Sequence, residues 1–377
     1  MKRLVEKLAR RIGIAVGLVF LWLIYVEIAS FARLRLAHTD TDVIPRDHLQ
    51  SVYTGATWVN TLADEWEPSN KVDYEAYVGW QRRPFEGQTI RIDAAGVRRS
   101  FHSHCDDKEY TVWMFGGSTV WGAGTPDWLT IPSLLAEKYE QGGRNVCMRN
   151  YGEKAWVSTQ EVIKLMLELK KNERKPDLVI FYDGPADVYE SYQSGRAGLH
   201  QNFDETKHFL EGHASAGAGN FRYFSETNTA RLFGQQRWQS RIERWITQKD
   251  TGSIARETIR CYLGNVQLVQ ALGREYGFEP VFFWEPRIST GKKQLTPLEE
   301  AARDAARQRT PGMEEANQAA YALIKAECRA PMYCIADAFD GETGTVYFDD
   351  AHIDATGNQL IAARMYNTIS AGMKPVH

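Results

Sequence analysis

Thr-Val-Trp-Met-Phe-Gly-Gly-Ser-Thr-Val-Trp-Gly, residues 111–122, reads as a buried strand that ends in a serine. Thr111 to Phe115 is a short apolar run rich in β-formers, and Gly116 and Gly117 let the backbone turn just before Ser118. A helical pattern follows, with Pro126 and Pro132 in loop or first-turn positions and Leu134, Leu135 and Tyr139 at helical spacing. A serine at the carboxyl end of a parallel strand, beside a helix N-terminus, lies where open α/β sheets bind ligands. Its hydroxyl is then exposed in the way a nucleophile needs. Gly-Gly-Ser-Thr is also a common helix cap, so the motif gains weight only with a histidine and a carboxylate elsewhere.

From residue 111 onward strand and helix patterns alternate, the signature of a parallel sheet covered on both faces. Further strands are predicted at 145–152, 177–183, 280–286 and 332–337, and helices at about 127–142, 157–172, 253–276 and 313–328. This is an α/β chain, a three-layer α/β/α sandwich on a five-stranded parallel sheet. The gap between the third and fourth strands is longer than a crossover needs, so residues 188–252 read as an insertion at the ligand-facing edge. It holds many aromatics and two histidines, and either acts as a lid or platform or is a surface excursion with its own small core. Residues 287–312 read as a second, more charged loop.

Upstream, residues 12–32 form the one membrane-length apolar stretch, preceded by Lys2, Arg3, Lys7, Arg10 and Arg11. The positive-inside rule keeps the N-terminus in the cytoplasm and puts everything from about residue 33 outside. Glu27 shortens the uncharged core enough to suit a signal peptide, yet no convincing A-x-A site follows, and the expectation is an uncleaved anchor. The chain thus divides into a basic segment 1–11, an anchor 12–32, a stalk and flanking segment 33–107, and a main domain 108–377. Within the flank, residues 36–76 read as polar and irregular, with Trp58 and Trp66 as isolated apolar points. Residues 77–80 and 88–93 read as a small strand pair.

The 377 residues, 43% hydrophobic and 12% aromatic, suffice for a full core, and a formal charge of -3 gives no footprint for nucleic acid. Cys328 and Cys334, close in sequence around Pro331, are spaced for a disulfide loop in an oxidising compartment. Cys105, Cys147 and Cys261 remain, an odd number, and Cys261 falls in a helical apolar pattern.

The histidine that Ser118 needs is found near the C-terminus, in Tyr347-Phe-Asp-Asp-Ala-His-Ile-Asp-Ala-Thr-Gly-Asn-Gln-Leu-Ile-Ala362. Asp349 and His352 stand three apart just before a helix that starts near Asp354 or Ala355, so one turn brings both to one side. In such a site His352 takes the serine proton and returns it to the leaving group, while the carboxylate orients the imidazole. Asp350 competes for that last role, but the spacing favours Asp349.

At this point the sequence resembles the SGNH/GDSL hydrolase family over roughly residues 108–372. The resemblance lies in Gly116-Gly117-Ser118-Thr119, in Asn150-Tyr151-Gly152, in Asp349 to His352 and in the helix start after it, in that order. It implies an SGNH, flavodoxin-like fold, an acyl-serine mechanism with Ser118, His352 and Asp349, and an oxyanion hole from the N–H groups of Ser118 and Gly152. The family's third block, Gly-x-Asn-Asp, departs here: Gly184-Pro185-Ala186-Asp187 has a methyl group where the asparagine donor belongs. Losing such a donor typically costs roughly 10²- to 10³-fold in turnover. Three explanations of Ala186 stand open: a weakened enzyme, another donor in its place, or a deliberate replacement.

By the same resemblance the expected function is a serine esterase or O-acyltransferase acting on acetylated cell-surface or secreted polysaccharide. The domain is expected to face the periplasm or cell exterior from a bacterial inner membrane, with polysaccharide-biosynthesis proteins as possible partners. The alternative is a weakened or inactive protein that binds polysaccharide or supports its assembly. No cofactor is implied, and His200 and His208 lack ligand-spaced companions, so no metal is assigned. Trp113 and Trp121 flank the serine as packing or pocket residues. Asp183 and Asp187 bracket the altered block, as substrate-hydroxyl ligands or as a helix cap, and Glu285 reads as a solvated strand-end charge or a supporting acid.

Overall fold

The computed structural model describes residues 2–37, 46–106, 109–204, 206–207 and 250–372. The chain divides into two units, residues 1–43 with 204–248, and residues 44–203 with 249–377. The described part of the first is chiefly helix α1 (Lys2–Ala37). Its window Gly13–Ser30 has mean hydropathy 2.0, long and apolar enough to cross a membrane and equally consistent with a signal sequence. His208, Phe221, Tyr223, Phe224, Trp238 and Trp245 of the expected insertion lie outside the described residues.

The second unit opens with α2 (Arg46–Val52) and α3 (Val59–Ser69), where the sequence reads as irregular. Leu49, Val59, Leu62 and Trp66 are buried, and they supply the apolar face that makes these short helices hold. The small strands also differ from expectation. β1 (Val72–Glu75) pairs antiparallel with β2 (Gly79–Arg82), and β3 (Phe85–Glu86) pairs with β4 (Arg91–Ile92).

The main sheet consists of β5 (Tyr110–Gly116), β6 (Val146–Asn150), β7 (Leu178–Asp183), β8 (Glu279–Trp284) and β9 (Met332–Cys334), all parallel, in the order β6-β5-β7-β8-β9. Alternation along the strands sorts the side chains. Val112, Met114, Val146, Ile180 and Phe283 share one core with residues of helix Ile131–Gln141 and the C-terminal helix Ala355–Gly372. On the opposite face Tyr151, Phe115, Phe181 and Phe282 form a stacked ladder with ring centroids 5.0, 5.2 and 5.5 Å apart, on the side of helices Ser158–Lys171 and Thr251–Tyr276. β5 is where the strand order reverses, so its carboxyl end opens on the crevice.

Residues 297–309, expected as loop, are helical. Thr296 and Glu299 form a capping box there, and the helix is otherwise so polar that no apolar stripe betrays it in sequence. The outer edge of β6 is covered by the segment before β5. Arg98 bridges Asn150, Ser103 bridges Val146, and the His104 N–H donates to the Val146 carbonyl at 2.9 Å. Cys105, one of the three cysteines left over in the sequence reading, closes a disulfide with Cys147 of β6. Cys328 and Cys334 are also bonded, and Cys261 is a thiol.

Candidate active site

Ser118 opens a one-turn helix, Ser118–Trp121, that leaves β5 directly after Gly116 and Gly117. Arg98, buried to 1% exposure, holds the far end of that turn. Its guanidinium donates to the carbonyls of Trp121 (3.0 Å), Gly122 (2.8 Å) and Thr125 (2.7 Å) and pairs with Asp127 at 2.8 Å. These are carbonyls that a helix end leaves without partners. Nothing local in the sequence marks Arg98 for this role.

Asp349 and His352 sit in a loop closed by the antiparallel bridge Tyr347–Ile353 and by the Phe348 N–H on the His352 carbonyl at 2.8 Å. Asp349 Oδ1 accepts from the N–H groups of Ala351 (2.8 Å) and His352 (2.6 Å), while Oδ2 faces His352 Nδ1 at 2.8 Å. An ionised carboxylate only accepts, so Nδ1 carries the hydrogen and Nε2 is left to accept from Ser118 Oγ at 2.7 Å. Asp350 turns away to Arg309 at 3.0 Å. Burial opposes the charge on Asp349, but His352 and the two N–H groups outweigh it and hold the carboxyl well below its usual range. Burial likewise opposes imidazolium, yet the Asp349 charge and hydrogen bond raise His352 above its ordinary value.

The loop is braced from the N-terminal helices. The His48 ring donates to the Phe348 carbonyl at 3.1 Å, and Tyr53 Oη accepts from the Ala355 N–H at 3.1 Å. Leu49, Val59 and Phe348 form one small core.

The expected oxyanion donors are fewer than the motif implies. The Gly152 N–H donates to Asn150 Oδ1 at 3.0 Å, and Asn150 Nδ2 in turn donates to the Val120 carbonyl at 3.0 Å. A Cβ at Gly152 would fall 2.4 Å from the Trp121 nitrogen, so the glycine serves the close approach of β6 to the serine turn. Ala186 stands half-buried in the first turn of helix Pro185–Ser194 and offers only its methyl group. The Ser118 N–H heads its helical turn, where N–H groups lack intrahelical partners.

Beneath the site lies a set of buried carboxyls. Asp183 and Asp187 are each 2% exposed, Glu161 is fully buried and Glu285 is 4% exposed. Asp183 therefore does not face substrate, and Glu285 is not solvated: its N–H donates to the Asp183 carbonyl at 3.0 Å and draws it into the sheet. Asp187 caps a neighbouring helix rather than its own, accepting from Ser158 N at 3.0 Å and Ser158 Oγ at 2.6 Å. Burial pushes all four upward, Asp187 to about 6. Trp113 packs on Tyr151, and Trp121 is clasped between Trp66 and Arg98, so neither lines the site. The His200 ring lies against Trp80 and Phe203.

No protein-family model matches the chain, and no curated protein matches it. Among solved structures it is similar to a lipolytic protein of the G-D-S-L family from Veillonella parvula, with 11% identity, TM-score 0.38, 69% of this chain and 98% of that one covered. It is also similar to Est24, a carbohydrate acetylesterase from Sinorhizobium meliloti, with 14% identity, TM-score 0.38 and coverage of 70% and 100%. The esterase EstA from a Pseudoalteromonas species follows at 11% identity, TM-score 0.36 and coverage of 70% and 98%. Likenesses of this size do not bear on the chemistry, which rests on the side chains themselves.

Proposed function

We propose that this chain is an SGNH-like serine ester hydrolase or O-acyltransferase that works through an acyl-serine. The observation that carries this reading is the unbroken relay from Ser118 Oγ to His352 Nε2 at 2.7 Å and from His352 Nδ1 to Asp349 Oδ2 at 2.8 Å. In this reading Ser118 Oγ attacks the ester carbonyl while His352 takes its proton, and the same proton then goes to the leaving alkoxide. Water or a sugar hydroxyl reverses these steps on the acyl-serine.

The substrate in this reading is acetylated cell-surface or secreted polysaccharide. Helix α1 is its uncleaved anchor in a bacterial inner membrane, with the basic end inside and the remainder of the chain outside. The sparse oxyanion donors favour a second reading, a weakened or inactive protein that binds polysaccharide or supports its assembly.

Turnover of 4-nitrophenyl acetate by the full chain in detergent, beside Ser118→Ala and Ala186→Asn, tests the two. Ser118→Ala is expected to fall to the buffer rate and Ala186→Asn to run at least ~10-fold faster, given what one oxyanion donor is worth. Three folded proteins at the buffer rate, with saturable glycan binding unchanged by Ser118→Ala, would instead support the second reading.

A further inference from the structure

The candidate site is short of hydrogen-bond donors for a developing oxyanion, and at the same sheet edge the Arg287 Nε is buried without an acceptor among the described residues. Ala186 follows Asp183 by three residues, and Arg287 follows Trp284 by three, where Asp183 and Trp284 are partners in the parallel β7–β8 ladder. Arg287 thus follows the end of β8, the strand beside β7, at the carboxyl edge of the sheet from which Ala186 also leaves. Its backbone is fixed by Thr290: the Arg287 N–H donates to Thr290 Oγ1 at 3.0 Å, and the Arg287 carbonyl accepts from Thr290 N at 3.0 Å and from Thr290 Oγ1 at 3.1 Å.

The side chain has no such anchor. Its Nε is buried without a hydrogen-bond partner, and no ion pair engages it among the described residues. The two deeply buried arginines behave otherwise, Arg82 pairing with Glu153 and Arg98 with Asp127. A buried donor left unmatched costs roughly 1–3 kcal/mol, and more when it is charged. Arg287 follows Glu285 by two residues at the end of β8, and its charge is among the influences on Glu285 and on His352, the imidazole that faces Ser118. Asp349 is committed to His352 and to two backbone N–H groups, so it does not serve as counterion.

We propose that Arg287 donates to the oxyanion formed at the ester carbonyl, in the place that Ala186 leaves empty. This rests on the acyl-serine reading above. As Ser118 Oγ bonds to the carbonyl carbon, the C=O π pair moves onto oxygen and the serine proton passes to His352 Nε2. The guanidinium then donates to that oxygen. Collapse restores the C=O, breaks the bond to the leaving alkoxide, and sends the His352 proton to it. The guanidinium acts only as a hydrogen-bond donor, so the serine proton is the one that moves.

The test uses the full chain in detergent with neutral 4-nitrophenyl acetate and with mono-4-nitrophenyl succinate, which carries a carboxylate. Arg287→Ala is expected to lower kcat on the neutral ester by at least ~10²-fold, the usual size of one oxyanion donor, with little change in KM. Added guanidinium is expected to restore part of that loss, Arg287→Lys to retain part of the rate, and the loss to shrink in an Ala186→Asn background. Unchanged kcat overturns the proposal. So does a loss confined to KM for the succinate ester, which would make Arg287 a subsite for a substrate anion. A loss that follows a lowered melting temperature and resists guanidinium also overturns it, in favour of a structural role. If the parent protein neither turns over ester nor takes an organophosphonate on Ser118, the underlying acyl-serine reading has failed and the proposal goes with it. An active parent with an indifferent Arg287→Ala sinks the proposal alone.

Discussion

Asp349 divides its work between its two oxygens: Oδ1 folds the turn through the N–H groups of Ala351 and His352, and Oδ2 sets the imidazole. In Asp349→Asn the Oδ1 contacts can persist while an amide NH₂ faces His352 Nδ1. The ring then carries its hydrogen on Nε2, pointing at Ser118. Turnover should fall roughly 10⁴-fold with the fold kept, which rate assays beside circular dichroism will show. The acid limb of kcat/KM carries a second expectation. His352 is raised above the ordinary histidine value of 6.5 chiefly because Asp349 outweighs burial, so activity should climb with pH through a midpoint above 6.5. In Asp349→Asn that midpoint should move down. The pairing of Asp349 with His352 was legible in the sequence because three-residue spacing is local. That the Gly152 N–H is taken by Asn150 was not, since it depends on where one amide side chain points.

Among the elements, the one-turn helix at Ser118 depends most on a distant residue. Arg98→Ala would leave Asp127 buried without its cation and remove a donor from three carbonyls, of which that of Gly122 keeps the Thr125 N–H and hydroxyl. Breaking such a pair typically costs about 3–5 kcal/mol, and urea unfolding should report a loss of that order. The strands and long helices of the sheet were readable because period-2 and period-3.6 patterns survive within each segment. Helices Arg46–Val52, Val59–Ser69 and Pro297–Arg309 hid for different reasons. Trp66 looks isolated until Trp121, Ile90 and Ile92 arrive from elsewhere in the chain to bury it. Helix Pro297–Arg309 buries only Glu299, and Thr296-Pro297-Leu298-Glu299 was the capping signal that marked it. The Cys105–Cys147 bridge spans 42 residues, so its pairing is decided by the placement of a strand, not by spacing.

For the molecule as a whole, the buried carboxyls set how stability responds to pH. Burial raises Asp187 and Asp354 to about 6 and pushes Glu161, Asp183 and Glu285 upward as well. A carboxyl raised in the folded state favours folding fully below its unfolded value of about 4, and that contribution is lost as pH climbs through the raised value. His352, also raised, loses its contribution above its ordinary 6.5. The melting temperature should therefore fall between pH 5 and pH 8, which calorimetry at fixed ionic strength will test. Glu65, Glu299 and Asp349 are lowered despite burial, through hydrogen bonds and, for Asp349, the His352 charge, and they oppose this trend only below about pH 4.5. The segment that ends at Cys105 has a consequence of another kind. An outer strand offers a row of unmatched N–H and C=O groups to any chain that meets it. Here that row belongs to Val146–Asn150, and its cover is riveted at one end by a bond between sulfurs. Made where thiols stay reduced, the chain would keep the cover by hydrogen bonds alone, and each fraying would invite another copy to add a strand. The bridge keeps that edge shut to a second copy.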